Sequence, residues 1–288
     1  MDGAAEGSET RASRRAWLPG GDVARWRRSL RYWSTRLAVA AVTGAYLRVR
    51  VEGLDRLPPG ASLLCANHES WADPFVLMAA LPGRPRLYWF GPKESDMSRG
   101  ARNRLIVWTG SAVPYKPAKT DLREATRRVG AVFDAGGRLL IFGEGRIHAL
   151  EGELLPLAEG AVFFAMRSGV PIVPVAIGGT SWLAFGRTVR VRVGEPLVPE
   201  GRPTREAVDR LTARLWCRLF ELVRDDPIRP PPGPFGRWLT ALFDEWPEGV
   251  RPASTPGAVR QPGPGPVEGP HGPCEPLASS PEPVPLAY

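Results

Sequence analysis

Histidine is scarce in this chain: His68, His148 and His271 are the only three in 288 residues. A site built from several imidazoles is therefore excluded, and His68-Glu69 lacks the second histidine of a zinc-protease helix. Cysteine is as rare. Cys65, Cys217 and Cys274 have no metal-ligand spacing and form no disulfide framework. No metal or other cofactor is expected, and the chain reads as reduced and cytosol-facing. Cys65 falls in a strand pattern and Cys217 in a helix pattern, both core positions. Long apolar runs are missing too. Leu37–Leu47 spans 11 residues, against roughly 20 for a membrane crossing, so no transmembrane helix is expected. Residues 1–22 mix acids with bases, unlike a signal peptide. There is no Gly-x-Ser-x-Gly elbow and no phosphate-cradling Gly-Lys-Ser/Thr loop.

What the chain does have is enough apolar material for one sizeable domain, 43% of residues. It also carries an excess of arginine. The formal net charge of +8 points to an anionic partner without saying which. Residues 23–50 hold seven arginines and no acid. Within them Trp26, Leu30, Trp33 and Leu37 recur at i, i+4, i+7 and i+11, one narrow helical face. Arg27, Arg28 and Arg31 lie opposite, with Arg25 and Arg36 flanking. Tryptophan ringed by arginine suits a helix lying on an anionic membrane surface. The alternative is a helix that packs this face on its own core. No nucleic-acid module signature accompanies the charge, so nucleic acid is not an expected partner.

Beyond that helix, strands alternate with helices. Strands are expected at 47–51, 62–66, 86–90, 111–115, 138–142, 171–177 and 189–193. Helices are expected at 74–80, 99–108, 120–135, 158–168 and 204–224. This order predicts an α/β layered domain with a mainly parallel sheet flanked by helices. The implied organisation is a disordered N-terminus (1–22), an amphipathic membrane-surface helix (23–47) and a catalytic domain (48–226). A linker with a short amphipathic helix follows (227–246). In the last segment (247–288) 12 of 42 residues are proline, and it reads as a disordered tail. Within the linker Phe235, Trp238, Leu239, Leu242 and Trp246 share one side, suited either to docking on the domain or to touching lipid.

The chemistry-bearing stretch is Asn67-His68-Glu69-Ser70-Trp71-Ala72-Asp73-Pro74, directly after the apolar strand 62–66. A strand delivers a histidine to a turn, and an aspartate follows five residues later. A histidine oriented by a carboxylate can take a proton from a hydroxyl. The plainer alternative is that Asp73-Pro74 simply opens a helix, with Asp as N-cap and Pro at the first position. Downstream, strand 138–142 ends in Gly143-Glu144-Gly145-Arg146, and Val170-Pro171-Ile172-Val173-Pro174-Val175 forms a further strand. In parallel sheets sites form at the carboxyl ends of strands. His68 and Glu144 both follow strands, so they are expected to meet on one edge.

These three blocks, in this order over roughly Arg48 to Leu197, resemble the glycerolipid acyltransferase family, whose best-known members are the 1-acyl-glycerol-3-phosphate acyltransferases. That family carries an Asn-His-x4-Asp block, a Phe-Pro-Glu-Gly-Thr-Arg block and a Val-Pro-Ile-x-Pro-Val block. The resemblance implies transfer of a fatty acyl group from a thioester, acyl-CoA or acyl carrier protein as co-substrate, to a lysophospholipid hydroxyl. The leading acceptor is 1-acyl-sn-glycerol-3-phosphate, in phospholipid biosynthesis. Another lyso-lipid or alcohol, or lipid binding without turnover, remains the alternative. His68 would be the base and Asp73 its orienter, with backbone amides at the nearby helix start facing the oxyanion. The resemblance places Glu144 in acceptor binding. Gly143 and Gly145 would let a head group approach, or would only form an ordinary turn. This chain departs from the family at two positions. Arg146 is shifted by one place, and Val113-Pro114-Tyr115-Lys116 stands where the family has an arginine. Lys116, Arg146 and Lys93 are the cations available to an anionic head group. With the amphipathic helix, these features predict a peripheral protein on the cytoplasmic face of the cell membrane.

Overall fold

The computed structural model describes residues 25–93, 101–115, 122–147, 153–224, 226, 232–241, 268–270 and 272–274. Helix α1 (Arg25–Tyr46) leads into β1 (Arg48–Glu52). Then come β2 (Ser62–Ala66), α2 (Asp73–Ala80), β3 (Leu87–Lys93), α3 (Ala101–Thr109), β4 (Ala112–Tyr115) and α4 (Leu122–Asp134). β5 (Arg138–Phe142), α5 (Gly160–Ser168), β6 (Ile172–Gly178), β7 (Thr188–Val193), α6 (Arg205–Val223) and α7 (Pro234–Ala241) complete the domain. Every element expected from the sequence is present, with shifted ends.

The strand order is β1-β7-β6-β2-β5-β3-β4. β6, β2, β5, β3 and β4 run parallel; β7 is antiparallel to β6, and β1 pairs parallel with β7. Parallel neighbours need a crossover, which the helices supply. The link from β6 to β7 holds no helix, and there the direction reverses.

Helices cover both faces, which is why the central strands read as continuous apolar runs rather than alternating ones. Along β2, Leu63 and Cys65 join the layer formed by α4, α5 and α6. Leu64 and Ala66 join the layer formed by α1, α2 and α3. All five residues of β2 are buried. This double packing fixes the carboxyl end of β2, where the first motif begins.

Helix α1 packs on the domain mainly away from its Trp/Leu face, although the Trp33 ring lies against Gly83. Tyr32, Thr35 and Thr43 are the buried positions. Trp26 is 63% exposed, Leu30 62%, Trp33 41% and Leu37 72%. Arg36 is not a free surface charge either. Its guanidinium donates to the carbonyls of Met78 and Leu81, capping the end of α2, where a cation meets unpaired carbonyls and the negative end of the helix dipole. Among the described residues no helix is long and apolar enough to cross a membrane.

Two segments bear on the expectations, and the first decides between the alternatives left open for it. Helix α7 docks: Thr240 is buried, its hydroxyl accepts from the Leu183 amide at 2.8 Å, and Leu239 joins the core. Phe235 and Trp238 stay exposed. Leu242 and Trp246 lie outside the described residues.

The second is a correction. Cys217 and Cys274 form a disulfide; the two were expected to be unpaired. Their sequence separation of 57 residues carries no spacing signal. Strands β8 (Glu268–Gly269) and β9 (Gly272–Pro273) form a small antiparallel pair, and Gly269 lies against the Trp216 ring of α6. This part of the tail is folded onto the domain; the rest lies outside the described residues, as do residues 1–22. Closing so long a loop constrains the unfolded chain. Truncation after Pro247 is expected to cost about 2–4 kcal/mol of stability, read as a lower Tm. Reducing the disulfide of the full chain should give the same fall, and should do nothing to a Cys217→Ser variant. An unchanged Tm on truncation would contradict the docking.

Candidate active site

The carboxyl ends of three adjacent strands, β6, β2 and β5, build the site. Asn67 follows β2 and pairs with β6 like one more strand residue. Its Nδ2 donates to the Ile177 carbonyl and its Oδ1 accepts from the Ile177 amide, both at 2.8 Å. This amide clamp holds the chain as it leaves the sheet and presents His68.

His68 Nδ1 lies 2.8 Å from Asp73 Oδ2. The same oxygen accepts the backbone amides of Glu69 at 2.7 Å and Ser70 at 2.9 Å. The Asp73 carboxylate is fully buried. Asp73 therefore does not act as an N-cap. No side-chain capping bond is present at the start of α2, and the carboxylate turns back into the loop instead. The imidazole stacks on Phe142, the last residue of β5, with ring centroids 3.9 Å apart. With Nδ1 engaged by the carboxylate, Nε2 is the nitrogen able to accept a proton. One side of the ring is fixed by a charge and one face by an aromatic, the preorganisation a general base needs.

Glu144 meets His68 through the backbone. Its Oε1 accepts the His68 amide at 2.9 Å, and its Oε2 accepts the Leu155 amide at 3.0 Å. Burial pushes its carboxyl up to about 7, against the lowering effect of those two amides; the charge of Asp73 raises it further and Arg146 lowers it. Both oxygens brace the protein's own loops, contacts additional to the acceptor-binding role expected of this residue. Gly143 is likewise used internally: a Cβ there would sit 2.7 Å from Cys65 Sγ and 2.8 Å from Leu157 Cδ2. Gly145 supplies a turn with φ +67°. These glycines behave as turn residues. Cys65 cannot serve as a nucleophile, because burial pushes its thiol up to about 12.

Several amides of the loop before α2 are engaged within the protein. Those of His68, Glu69 and Ser70 go to carboxylates, and that of Ala72 reaches Ser70 Oγ at 3.3 Å. Residues 48–178 match the family model described as acyltransferase.

Through those residues the chain is similar to the glycerolipid acyltransferases. It is 25% identical over 162 residues to the chloroplastic 1-acyl-sn-glycerol-3-phosphate acyltransferase of Brassica napus, covering 54% of this chain and 44% of that protein. It is 27% identical over 195 residues to 1-acyl-sn-glycerol-3-phosphate acyltransferase alpha of Homo sapiens, covering 62% and 65%. The chain spans about half the length of the curated relatives it matches. Its fold is similar to that of the 1-acyl-sn-glycerophosphate acyltransferase PlsC from Thermotoga maritima, with a TM-score of 0.53, 20% identity, and coverage of 76% of this chain and 90% of that one.

The structure brings His68, Asp73 and Glu144 together. Arg146 is exposed two residues past Glu144, near enough for its charge to act on that carboxyl. Lys93 closes β3. Lys116 and His148 lie outside the described residues. Two contributors were not foreseen, Glu69 and Thr180. The signal for Thr180 was nonetheless present: a polar turn, Gly178-Gly179-Thr180-Ser181, directly after an apolar strand, as at His68 and Glu144.

Glu144→Gln is expected to lower kcat about tenfold, because an amide offers one acceptor oxygen to two buried donors. It should also change the pH dependence of stability. A group with a folded pKa raised above its unfolded value supports the fold fully below the unfolded value, near 4.5, and loses that support as pH rises through about 7. The downward slope of stability across this window should flatten in the variant. Unfolding midpoints from pH 4 to 8 check this; parallel profiles would contradict it.

Proposed function

We propose that this protein transfers a fatty acyl group from a thioester to a lysophospholipid hydroxyl. The observation that carries the reading is the His68–Asp73 pair at 2.8 Å, standing at the carboxyl end of a central parallel strand. The relatives named above, both 1-acyl-sn-glycerol-3-phosphate acyltransferases, support it. His68 Nε2 takes the proton of the acceptor hydroxyl as that oxygen attacks the thioester carbonyl. Asp73 holds the tautomer and stabilises the imidazolium that forms. The tetrahedral intermediate collapses with loss of the thiolate, which takes the proton back from His68. A thiolate leaves readily, so neither metal nor covalent enzyme intermediate is needed.

The acceptor we place first is 1-acyl-sn-glycerol-3-phosphate, with acyl-CoA or acyl carrier protein as donor. Lys116 and Arg146 would bind the phosphate, with Gly145 shaping the turn before Arg146. The second reading, a less charged lyso-lipid or alcohol, is favoured by one observation: the arginine expected after Glu144-Gly145 is displaced to Arg146, which is exposed. Lysine supplies a point charge where arginine supplies a bidentate fork. If phosphate is the handle, Lys116→Ala and Arg146→Ala should each raise the KM for the phosphate acceptor about tenfold and spare the donor KM. An unchanged acceptor KM, or faster acylation of neutral alcohols, would remove the phosphate assignment and leave acyl transfer standing.

We place the protein on the membrane surface through the exposed Trp26, Leu30, Trp33 and Leu37 of α1, with Arg27 and Arg31 attracting anionic lipid. The cytoplasmic face is the side that supplies thioester donors. The argument from unpaired cysteines no longer supports that side, given the Cys217–Cys274 bond.

A further inference from the structure

Asp73 holds His68 with one oxygen; its other oxygen, Oδ1, is met by Thr180, in the turn after the neighbouring strand β6. Thr180 is fully buried and stands outside all three motifs and outside the matched residues 48–178. We infer that Thr180 is a positioning residue for the catalytic pair: its hydroxyl donates to Asp73 Oδ1 and so fixes the carboxylate that orients His68. This deepens the base assignment made above and rests on it.

The hydroxyl has one hydrogen and two carboxylate neighbours, Asp73 Oδ1 and Glu69 Oε2. Asp73 is the nearer, so the hydrogen belongs to Asp73. Glu69, buried beside it, does a different task. Its Oε2 accepts the amides of Gly179 at 3.1 Å and Thr180 at 3.2 Å and so pins the turn that carries the hydroxyl. Gly179 adopts φ +94°, a conformation that glycine alone enters without strain, and this aims Thr180 back at β2. Oδ2 of Asp73 has three donors and Oδ1 has the threonine. Without Thr180 the buried carboxylate would turn about its last bond and leave one oxygen unsolvated.

The sign of the effect follows. A donor on Oδ1 stabilises the aspartate charge most when the facing imidazole is neutral, because no imidazolium then compensates that charge. Removing the donor favours the protonated ring, which cannot act as base. Of the other ionisable groups here, Glu144 bonds the backbone amide of His68 and not Thr180, Arg146 acts on Glu144, and Glu69 has the Gly179 and Thr180 backbone amides as donors in every variant. Their contribution to the pH profile is common to wild type and variant.

The test compares Thr180→Val, Thr180→Ala and Thr180→Ser with wild type in acyl-CoA turnover against a lyso-lipid acceptor across pH, with Tm recorded. The Val and Ala variants should lose about tenfold or more in kcat with both KM values little changed. The acid limb of their rate profiles should move to higher pH. Thr180→Ser should restore rate and profile. A variant that is folded but has the wild-type kcat and acid limb overturns the inference, as does a serine variant that fails to restore them. Using two variants covers a folding failure in either one. His68→Ala measured alongside separates the failures: an inactive His68→Ala beside a fully active Thr180→Ala removes Thr180 and keeps the base. An active His68→Ala removes both.

Discussion

His68→Ala is expected to lower kcat by about 10²–10⁴-fold while leaving the fold and lipid binding intact. The side chain is largely buried and stacks on Phe142, so Tm is measured beside turnover to separate a packing loss from the loss of the base. Asp73→Asn should cost about as much turnover and more stability. Asparagine offers one acceptor oxygen, and its NH₂ would face either the His68 and amide donors on Oδ2 or the Thr180 hydroxyl on Oδ1. A buried donor set against a donor costs about 1–3 kcal/mol. Stopped assays with both variants, alongside Tm, distinguish the two. Near-normal turnover in folded His68→Ala would end the mechanism.

The second large effect concerns the membrane. Replacing Trp26 and Trp33 with serine should reduce sedimentation with anionic vesicles by tenfold or more. Two such rings carry roughly 150–250 Å² each, and burying apolar area is worth about 25 cal/mol per Å². Trp26 and Trp33 are 63% and 41% exposed, so their removal leaves no core void of matching size. Changing Arg27, Arg28 and Arg31 to glutamine should weaken binding at low salt and matter less at high salt, since screening shortens the reach of the charges. Arg36 must be left in place, because it caps α2. Undiminished binding in both variants would move the contact to other exposed aromatics, such as Phe235 and Trp238 of α7.

The sequence made the strands legible where both faces are buried. Ser62–Ala66 and Arg138–Phe142 are unbroken apolar runs with polar ends, and both strands occupy those residues. The catalytic pair was legible because its members lie five residues apart on one turn. The contacts that complete the site were not, because they depend on which strands become neighbours. Glu69 meets Thr180 across a separation of 111 residues, and Asp73 meets it across 107. Nothing local announces that β6 lies beside β2. The same holds for Cys217 and Cys274, and for the reversal of β7 and β1. Glu144 was recognised as a site residue, but the contacts that hold it were not. Spacing fixed its place, but its partners are two backbone amides that no pattern in the sequence marks.

The central claim is acyl transfer with His68 as base. The most direct measurement incubates the purified full chain with labelled acyl-CoA and a panel of lyso-lipids on anionic vesicles, identifies products by mass, and runs His68→Ala in parallel. The account predicts a new ester on a lyso-lipid, one thiol released per ester formed, and neither product with His68→Ala. Thioester consumption without an acylated lipid, no consumption at all, or equal product from His68→Ala would contradict it.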